Sequence, residues 1–196
     1  MSDTQTLAVY ASQADKYADL VESAGTDKHL LAFLDSLPKG AEILDWGCGV
    51  GNAGGYAKAN GFEVTATDAS AEFAAKAQEL FDLKVRIETF ADLADVDAYD
   101  GIWANFSLLH APKAAMPKHL AQARRALRSG GRFCIAMKTG DGEHRDGIGR
   151  FYAYYGEDEL KELLAQAGFT VTDQTNGVTV GLDGRDWPWV VLHCDG

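Results

Sequence analysis

The chain has 196 residues, of which 46% are hydrophobic and 24% charged, an ordinary composition for a single globular domain with a full core. Its 29 acidic residues outnumber the 18 basic ones, and the net charge of -11 argues against a nucleic-acid partner, because phosphate binding needs clustered cations. No basic and apolar leader opens the sequence, and no run approaches the roughly 18 apolar residues of a membrane span. We therefore expect a cytoplasmic protein without membrane contact.

The cysteines and histidines give no sign of a metal site. Cys48, Cys134 and Cys194 lie far apart without CxxC spacing, which also argues against a disulfide framework. The five histidines show no paired spacing. A reducing compartment and no bound metal are the expectation.

Two amphipathic helices are predicted before the first strand. Apolar residues recur at intervals of three and four in residues 7–21 and again in residues 30–37. Thr26 or Asp27 can cap the second helix. We expect both helices, within residues 1–40, to cover the ligand of the sheet that follows.

The middle of the chain alternates strands with helices, which implies a parallel sheet with helical crossovers. The predicted strands occupy residues 42–46, 63–67, 83–88, 100–105 and 132–138. The predicted helices begin at Asn52, at Ser70 and near Met116, and Ser129-Gly130-Gly131 ends the last of them after Leu127.

The C-terminal third completes the sheet. Residues 139–150 combine four glycines with charges of both signs and predict a mobile loop. Two extended runs at 169–175 and 189–193, around a predicted loop at 176–188, would close the sheet as a pair. The predicted fold is an α/β, doubly wound, Rossmann-like, mostly parallel seven-stranded sheet with an antiparallel strand at its C-terminal end, in a single domain over residues 1–196.

Residues 43–52, ILDWGCGVGN, are the stretch on which the prediction of function depends. A short apolar run contains Asp45 and is followed by Gly47, Gly49 and Gly51 at alternate positions. Glycine tolerates positive φ and lets the backbone approach a ligand closely. A buried strand that turns into such a loop is expected to bind its ligand against the main chain.

Polar residues are predicted at the carboxyl ends of the strands, where open parallel sheets bind their ligands. Asp45, Asp68, Asp92, Asn105 and Lys138 each end or follow one of the first five strands. A carboxylate at the end of the second strand is placed to accept two hydrogen bonds from a ribose diol. We therefore expect a ligand that contains a nucleoside.

Two nucleoside cofactors compete for this loop. The run from Gly49 to Gly54 matches the dinucleotide pattern GxGxxG, but reading from Gly47 replaces the third glycine with Asn52. Asp45 would repel a pyrophosphate, whereas S-adenosylmethionine (SAM) carries positive charge and no phosphate. The residues favour SAM, with a NAD(P)-dependent oxidoreductase as the alternative enzyme and a catalytically silent SAM-binding regulatory protein as the non-enzyme alternative.

The order of motifs resembles that of class I SAM-dependent methyltransferases. DxGxGxGN is followed by an acid after the next strand, FADL after the third strand, YDGIWANFSLLHAP around the fourth and LRSGGRF before the fifth. The combination of ANFSLLHAP, KTGDGEHRDGIGRFYAYY and ELKELLAQAGF is similar to small bacterial methyltransferases related to tellurite-resistance methyltransferases. The resemblance implies methyl transfer to a small-molecule acceptor, and NFSLLH in place of NPPY leaves the acceptor atom open.

The resemblance also implies which residues hold the methionine part of SAM. The three glycines of the loop would lie against it, with Asp45 orienting the loop and the ammonium group. The backbone near Asn105 would take the ammonium, and Tyr17 on the first helix would close over the carboxylate.

The nucleoside part has its own implied contacts. Asp68 would hold both ribose hydroxyls, and Ala69 would lie beside the adenine. Asp92 would receive the adenine amino group, with Leu93 adjacent. Asp92 also lies in an acidic run that is compatible with a solvated surface.

The acceptor side is less explicit in the sequence. His110 follows the fourth strand and could serve as a general base for a hydroxyl acceptor, or could be a turn residue. Arg145, Arg150 and Tyr154, with their neighbours His144, Tyr152 and Tyr155, are candidates for an acceptor pocket. A soft nucleophile would need no base, because a sulfonium leaving group is already activated. Direct displacement in a monomer or a homodimer is the expectation.

Overall fold

The computed structural model describes residues 3–13, 25, 27–181 and 184–196 of the protein. The six helices are α1 (Thr4–Ser12), α2 (Lys28–Asp35), α3 (Asn52–Ala59), α4 (Ala71–Phe81), α5 (Met116–Ala126) and α6 (Glu157–Gln166) in these ranges. The nine strands there are β1 (Glu42–Trp46), β2 (Glu63–Asp68), β3 (Val85–Ile87), β4 (Tyr99–Asn105), β5 (Leu127–Lys138), β6 (Glu143–Arg145), β7 (Phe151–Ala153), β8 (Thr170–Val180) and β9 (Asp186–Asp195).

Seven of the strands form one sheet in the order β3-β2-β1-β4-β5-β9-β8. Strands β1 to β5 are parallel, and β9 lies antiparallel between β5 and β8. The predicted doubly wound, mostly parallel fold is thus confirmed. The winding reverses between β1 and β4, so their carboxyl ends form the switch point at which such sheets bind ligands.

The alternation of side chains along β1 builds the core on both faces of the sheet. Leu44 and Trp46 pack with α5 and α6 on one face, whereas Ile43 packs with α2 and α3 on the other. Since successive strand residues point to opposite faces, Asp45 shares the face of Ile43 and lies towards α3. The central strand therefore places Asp45 near the start of α3.

The two N-terminal helices are attached in different ways. Asp27 caps α2, because its Oδ1 accepts from the backbone N–H groups of His29 and Leu30, and the apolar face of this helix is buried. Helix α1 begins earlier than predicted and buries only Thr6 among its residues. The rest of the predicted first helix, and Thr26, fall outside the described residues.

Helix α5 ends at Ala126, just before the predicted stop at residues 129–131, but the predicted start of the next strand at residue 132 is wrong, because residues 127–131 already lie inside strand β5. Leu127 already pairs with Tyr99 of β4, and the register then shifts before Gly101. Gly130, at φ 76°, accommodates this irregularity. The glycines therefore mark a bulge in a long strand rather than the loop that precedes a shorter one.

The predicted mobile loop at 139–150 contains half of a small hairpin. Strand β6 pairs with β7, so that His144 lies opposite Tyr152. The carboxylate of Asp146 holds the turn, accepting from the backbone N–H groups of Ile148 at 3.1 Å and Arg150 at 2.9 Å. A single aspartate thus orders a segment whose composition indicated mobility.

The predicted loop at 176–188 is also largely strand, since β8 extends to Val180 and β9 begins at Asp186. Gly177 sits within β8 because a Cβ there would come within 2.2 Å of the Trp189 ring. This glycine makes room for an aromatic side chain and does not mark a turn. None of the helices within the described ranges is long and apolar enough to cross a membrane.

Candidate functional site

A crevice of about 600 Å³ opens beyond the carboxyl ends of β1, β2 and β4. The glycine loop after β1 and the residues that follow β2 form one side. The segment after β4, helix α1 and the start of α2 form the other. The crevice is therefore located at the switch point of the sheet, where the sequence predicts the ligand.

The backbone of the glycine loop requires its glycines. Gly47, Gly49 and Gly51 have φ values of 79°, 55° and 86°, in the left-handed region that favours glycine. A Cβ on Gly47 would lie 2.5 Å from the Cβ of Ser107, so the loop runs against the segment after β4. Gly47 and Gly49 line the crevice, whereas the glycine at 51 packs against Ala77 of α4.

Asp45 is buried beneath this loop, with only 4% of its surface exposed. Its Oδ2 accepts from the backbone N–H of Gly54, in the first turn of α3, at 2.9 Å. Burial raises the pKa of Asp45 to about 7, and the nearby charge of Asp68 adds to the shift. The carboxyl group is thus poised to ionise when a positive charge binds close to it.

Asp68 both lines the crevice and braces the loop. Its Oδ2 accepts from the backbone N–H of Gly49 at 2.9 Å, and its Oδ1 accepts from that of Ser70 at 2.8 Å. Burial raises its pKa as well. Ala69 lies beside it in the crevice wall. The bracing of Gly49 is a role that the sequence analysis did not anticipate.

Neither of these two carboxylates forms an ion pair with a residue that the structure describes. A buried carboxylate is normally paired, because removal of its charge from water is costly. When they are ionised, Asp45 and Asp68 therefore give this part of the crevice a negative potential, which suits a ligand that carries positive charge and hydrogen-bond donors.

The structure does not bring Asp92 and Leu93 to the crevice. Asp92 is exposed, and its carboxylate accepts from the backbone N–H of Thr89 at 2.9 Å and from its hydroxyl at 2.7 Å. Leu93 is buried in the core. Phe90 begins the short 3₁₀ turn at Phe90–Asp92 and, together with Glu88, lines this side of the crevice in place of Asp92 and Leu93.

Aromatic side chains surround the other end of the crevice. Asn105 ends β4, and Phe106 follows at φ 50°, an unfavourable backbone conformation for a residue with a Cβ. The Phe106 ring meets that of Trp189 edge to face at a centroid distance of 6.3 Å. Trp103 and His29 complete this wall. Sequence reasoning identified only Asn105 here.

His110 lies in the crevice wall as part of a hydrogen-bonded group. Its Nε2 is 2.8 Å from the hydroxyl of Tyr10 on α1, and its Nδ1 is 2.7 Å from the carbonyl oxygen of Phe151. Arg150 donates to the same Tyr10 hydroxyl at 3.1 Å. Burial lowers the pKa of His110 to about 4, so its imidazole is neutral at pH 7.

Three further candidates for the acceptor side are placed away from the crevice. Arg145 is exposed and pairs with Asp3, its two terminal nitrogens at 2.7 and 2.9 Å from the carboxylate oxygens. Tyr154 is buried and stacks on Trp187 at a centroid distance of 5.3 Å. Arg150 reaches the crevice only through Tyr10. Tyr17 lies outside the described residues.

Ligation of a metal ion finds no support in the described part of the chain. No group of three or more His, Cys, Asp or Glu side chains there is arranged to hold a metal ion. The chemistry available to the described residues is therefore that of hydrogen bonding, charge and aromatic contact.

Comparisons with known proteins agree with this geometry. A family model described as a methyltransferase domain matches residues 12–174. The chain is 26% identical to 1,6-didemethyltoxoflavin N1-methyltransferase of Burkholderia thailandensis, whose structure contains 1,6-didemethyltoxoflavin and S-adenosylhomocysteine. The TM-score is 0.78, and the match covers 97% of this chain and 87% of that one.

Two other solved structures share the fold at lower identity. A SAM-dependent methyltransferase of Methanosarcina mazei is 18% identical, with a TM-score of 0.73 and coverage of 82% of this chain and 94% of that one. A TehB-like SAM-dependent methyltransferase of Corynebacterium glutamicum is 21% identical, with a TM-score of 0.68 and coverage of 93% and 97%. No curated protein matches the sequence.

Proposed function

The chain belongs to the methyltransferase-domain family of class I SAM-dependent enzymes, and from this membership we propose that it methylates a small molecule bound beside the end of β4. The family match covers most of the chain and confirms the predicted enzyme class and cofactor. The match excludes the NAD(P)-dependent oxidoreductase as the alternative enzyme. The acceptor and the residues that contact it are the subject of the proposal.

One observation carries the assignment of the cofactor to the crevice. Asp45 is buried and Asp68 half-buried, both have raised pKa values, and both lie beside a glycine loop without an ion pair to any described residue. SAM brings an ammonium group, a sulfonium and a ribose diol, which are the positive charges and donors that such carboxylates lack. The acceptor groups of the crevice therefore fit this cofactor.

Each part of the cofactor has a proposed contact. Asp68 would accept hydrogen bonds from the ribose hydroxyls while it keeps the amide of Gly49 in place. The backbone of Gly47 and Gly49 would lie along the methionine part, with its ammonium between Asp45 and Asn105. On the adenine side, Ala69 would lie beside the ring as the resemblance implies, and Phe90 would take the place that the sequence analysis gave to Asp92 and Leu93.

Catalysis in this site would come mainly from positioning. SAM, when bound, supplies a methyl group that its sulfonium already activates for direct displacement. Trp103, Phe106 and Trp189 would fix the plane of the acceptor and exclude water from the reacting atoms. Phe106 is held in its strained conformation by the backbone, since its N–H donates to the carbonyl of Ala136 at 3.0 Å.

The acceptor is proposed to be a small, flat heterocycle. The aromatic wall favours such a ring, and the relative from Burkholderia thailandensis contains 1,6-didemethyltoxoflavin beside S-adenosylhomocysteine. A protein or nucleic-acid acceptor would need a docking surface, and the net charge of -11 disfavours the second.

The test is formation of S-adenosylhomocysteine from SAM with a panel of small acceptors. The panel would contain 1,6-didemethyltoxoflavin, other ring-nitrogen heterocycles, phenols, thiols and aliphatic amines, each analysed by mass spectrometry. Turnover confined to flat heterocycles would support the proposal, and turnover confined to aliphatic amines would contradict it. Tight binding of SAM without turnover on the whole panel would favour the silent regulatory protein.

The affinity for SAM is expected to rise with pH up to about 7. Below pH 7 the ligand-free protein keeps Asp45 protonated, because its pKa is raised to about 7, so binding of the cation must release a proton. Calorimetric titration between about pH 5.5 and 7, where the α-ammonium group of SAM stays charged, measures this slope. The Asp45→Asn variant keeps an acceptor for the Gly54 amide but loses the charge, and should bind SAM more weakly with a flat pH dependence over this range.

A further inference from the structure

Tyr10 joins helix α1 to the far side of the crevice. Its hydroxyl contacts His110 after β4 and Arg150 before β7, while its ring packs against Phe73 of α4 at a centroid distance of 5.4 Å. One side chain of α1 is thus tied to three elements around the crevice.

The partners of His110 fix the position of its ring proton. A carbonyl oxygen can only accept, so Nδ1, at 2.7 Å from the Phe151 oxygen, must carry the hydrogen. In the neutral ring Nε2 is then the acceptor, and the Tyr10 hydroxyl at 2.8 Å must donate to it. Both nitrogens of His110 are occupied by protein groups.

The oxygen of Tyr10 is used in the same way. It gives its single hydrogen to His110, and Arg150, which can only donate, supplies a hydrogen bond to it at 3.1 Å. The hydrogen of Tyr10 and both nitrogens of His110 are therefore engaged within the protein.

Neither His110 nor Tyr10 is easily ionised in this arrangement. Burial lowers the pKa of His110 to about 4, and burial raises the pKa of Tyr10 although the Arg150 charge opposes the rise. The guanidinium of Arg150 is itself neutralised by Asp146, at 2.7 Å from Nη2 and 2.8 Å from Nε. The group remains a neutral network through the physiological pH range.

Other polar contacts attach α1 to the same hairpin. The Thr6 hydroxyl oxygen accepts from the backbone N–H of Phe151 at 2.7 Å, and Asp3 pairs with Arg145. Thr6 is the one residue of α1 in the buried class, so polar contacts contribute much of the attachment of this helix, together with the packing of the Tyr10 ring on Phe73. Loss of a central hydrogen bond should therefore loosen it.

We propose that Tyr10 is a positioning residue that holds α1 over the crevice, and that His110 serves as its hydrogen-bond acceptor and not as the base of the methyl transfer. The proposal rests on the proposed function for the identity of the ligand beneath α1. It assigns to His110 a role different from the one that its place after β4 indicated.

The first experiment measures hydrogen–deuterium exchange of the α1 amides in the ligand-free protein. Tyr10→Phe removes only the hydroxyl and should speed exchange in α1 by at least about tenfold, because the hydrogen bonds to His110 and from Arg150 are both lost. Tyr56→Phe, which removes the same atom from a half-buried residue outside the crevice lining, is the matched control and should change nothing in α1.

The second experiment compares two substitutions of His110 by the same exchange measurement. It also measures the rate at which S-adenosylhomocysteine is released, by stopped-flow tryptophan fluorescence. His110→Gln offers Tyr10 an oxygen acceptor that takes up no proton at neutral pH, whereas His110→Leu offers none. Under the proposal, glutamine restores slow exchange and slow release, and leucine makes both about tenfold faster, like Tyr10→Phe.

Three outcomes would overturn the proposal. The first is amide exchange in α1 of Tyr10→Phe at a rate within twofold of the wild type. The second is α1 exchange in His110→Gln as fast as in His110→Leu. The third is a His110→Gln variant with wild-type α1 exchange that has lost turnover on the acceptor found by the panel. Should Tyr10→Phe fail to fold by circular dichroism, the two His110 variants decide. Failure of the wild type to bind S-adenosylhomocysteine would count against the proposed function, while the exchange data would still test the role of Tyr10.

Discussion

Replacement of Asp68 by alanine is expected to weaken the binding of SAM by at least about 100-fold, since two hydrogen bonds to a carboxylate contribute roughly 1.5–3 kcal/mol each. The change would also release the amide of Gly49, which Asp68 holds at 2.9 Å, and so loosen the loop that carries the cofactor. Calorimetric titration with SAM measures the loss.

The same substitution should leave the fold intact. Alanine removes two hydrogen bonds to backbone amides, but it also removes a carboxylate whose pKa burial has raised and which is therefore costly to keep charged. The two effects oppose each other in the free energy of unfolding. A cooperative thermal transition close to that of the wild type would show this, and unaltered affinity in such a protein would remove the ribose assignment.

Asp92→Ala is the matched control for this experiment. The sequence predicts a role for Asp92 at the adenine, but its carboxylate caps the Thr89 turn at the surface. We expect its loss to change SAM affinity by less than about threefold, because an exposed capping contact contributes only about 1 kcal/mol to local stability. A loss as large as that of Asp68→Ala would restore the original assignment.

Gly47→Ala is expected to abolish measurable SAM binding and to destabilise the protein by about 2–4 kcal/mol. Two costs add at this position. The backbone has φ 79°, and the new Cβ would meet the Cβ of Ser107 at 2.5 Å and the ring of Phe90 at 3.1 Å. The loop would have to move away from the segment after β4, and with it the amides that face the ligand.

Gly61→Ala separates the two costs. Gly61 has φ 86° in the turn before β2, and nothing lies within 4 Å of a Cβ built there. This variant should lose only about 1 kcal/mol of stability, from the left-handed backbone alone, and bind SAM like the wild type. Chemical denaturation and calorimetry of both variants provide the comparison, and equal binding by the two would refute the close contact at Gly47.

The features that the sequence predicts well depend on local signals. The apolar run before Asp45 and the spaced glycines specify a strand, a loop and the start of α3 within twelve residues, without information from the rest of the chain. The acid at the end of β2 follows from the same alternation of strands and helices. Strand β1, the glycine loop and the start of α3 follow one another directly, so the contacts among them join residues that are close in the sequence.

What the sequence does not predict depends on distant partners. Trp189 reaches the crevice because β9 inserts antiparallel beside β5, which places it opposite Lys138. Asp146 orders the hairpin at 143–153 through bonds that composition does not display. Gly177 resembles a turn residue in the sequence, but the Trp189 ring occupies the space that a Cβ there would need. In each case the deciding contact joins residues whose relation only the folded chain establishes.

The buried carboxyl group of Asp45 also affects how the folded protein responds to its supply of ligand. Asp45 has a pKa of about 7 in the folded protein against an ordinary value of 3.8, so between these values the folded state retains a proton that the unfolded chain has lost. The ligand-free protein must therefore lose stability as pH rises through this window. A bound cation opposes that loss and adds a stabilisation that grows with the logarithm of its concentration. If Asp45 and Asp68 bind the cofactor as proposed, the fraction of folded protein depends on how much cofactor is present.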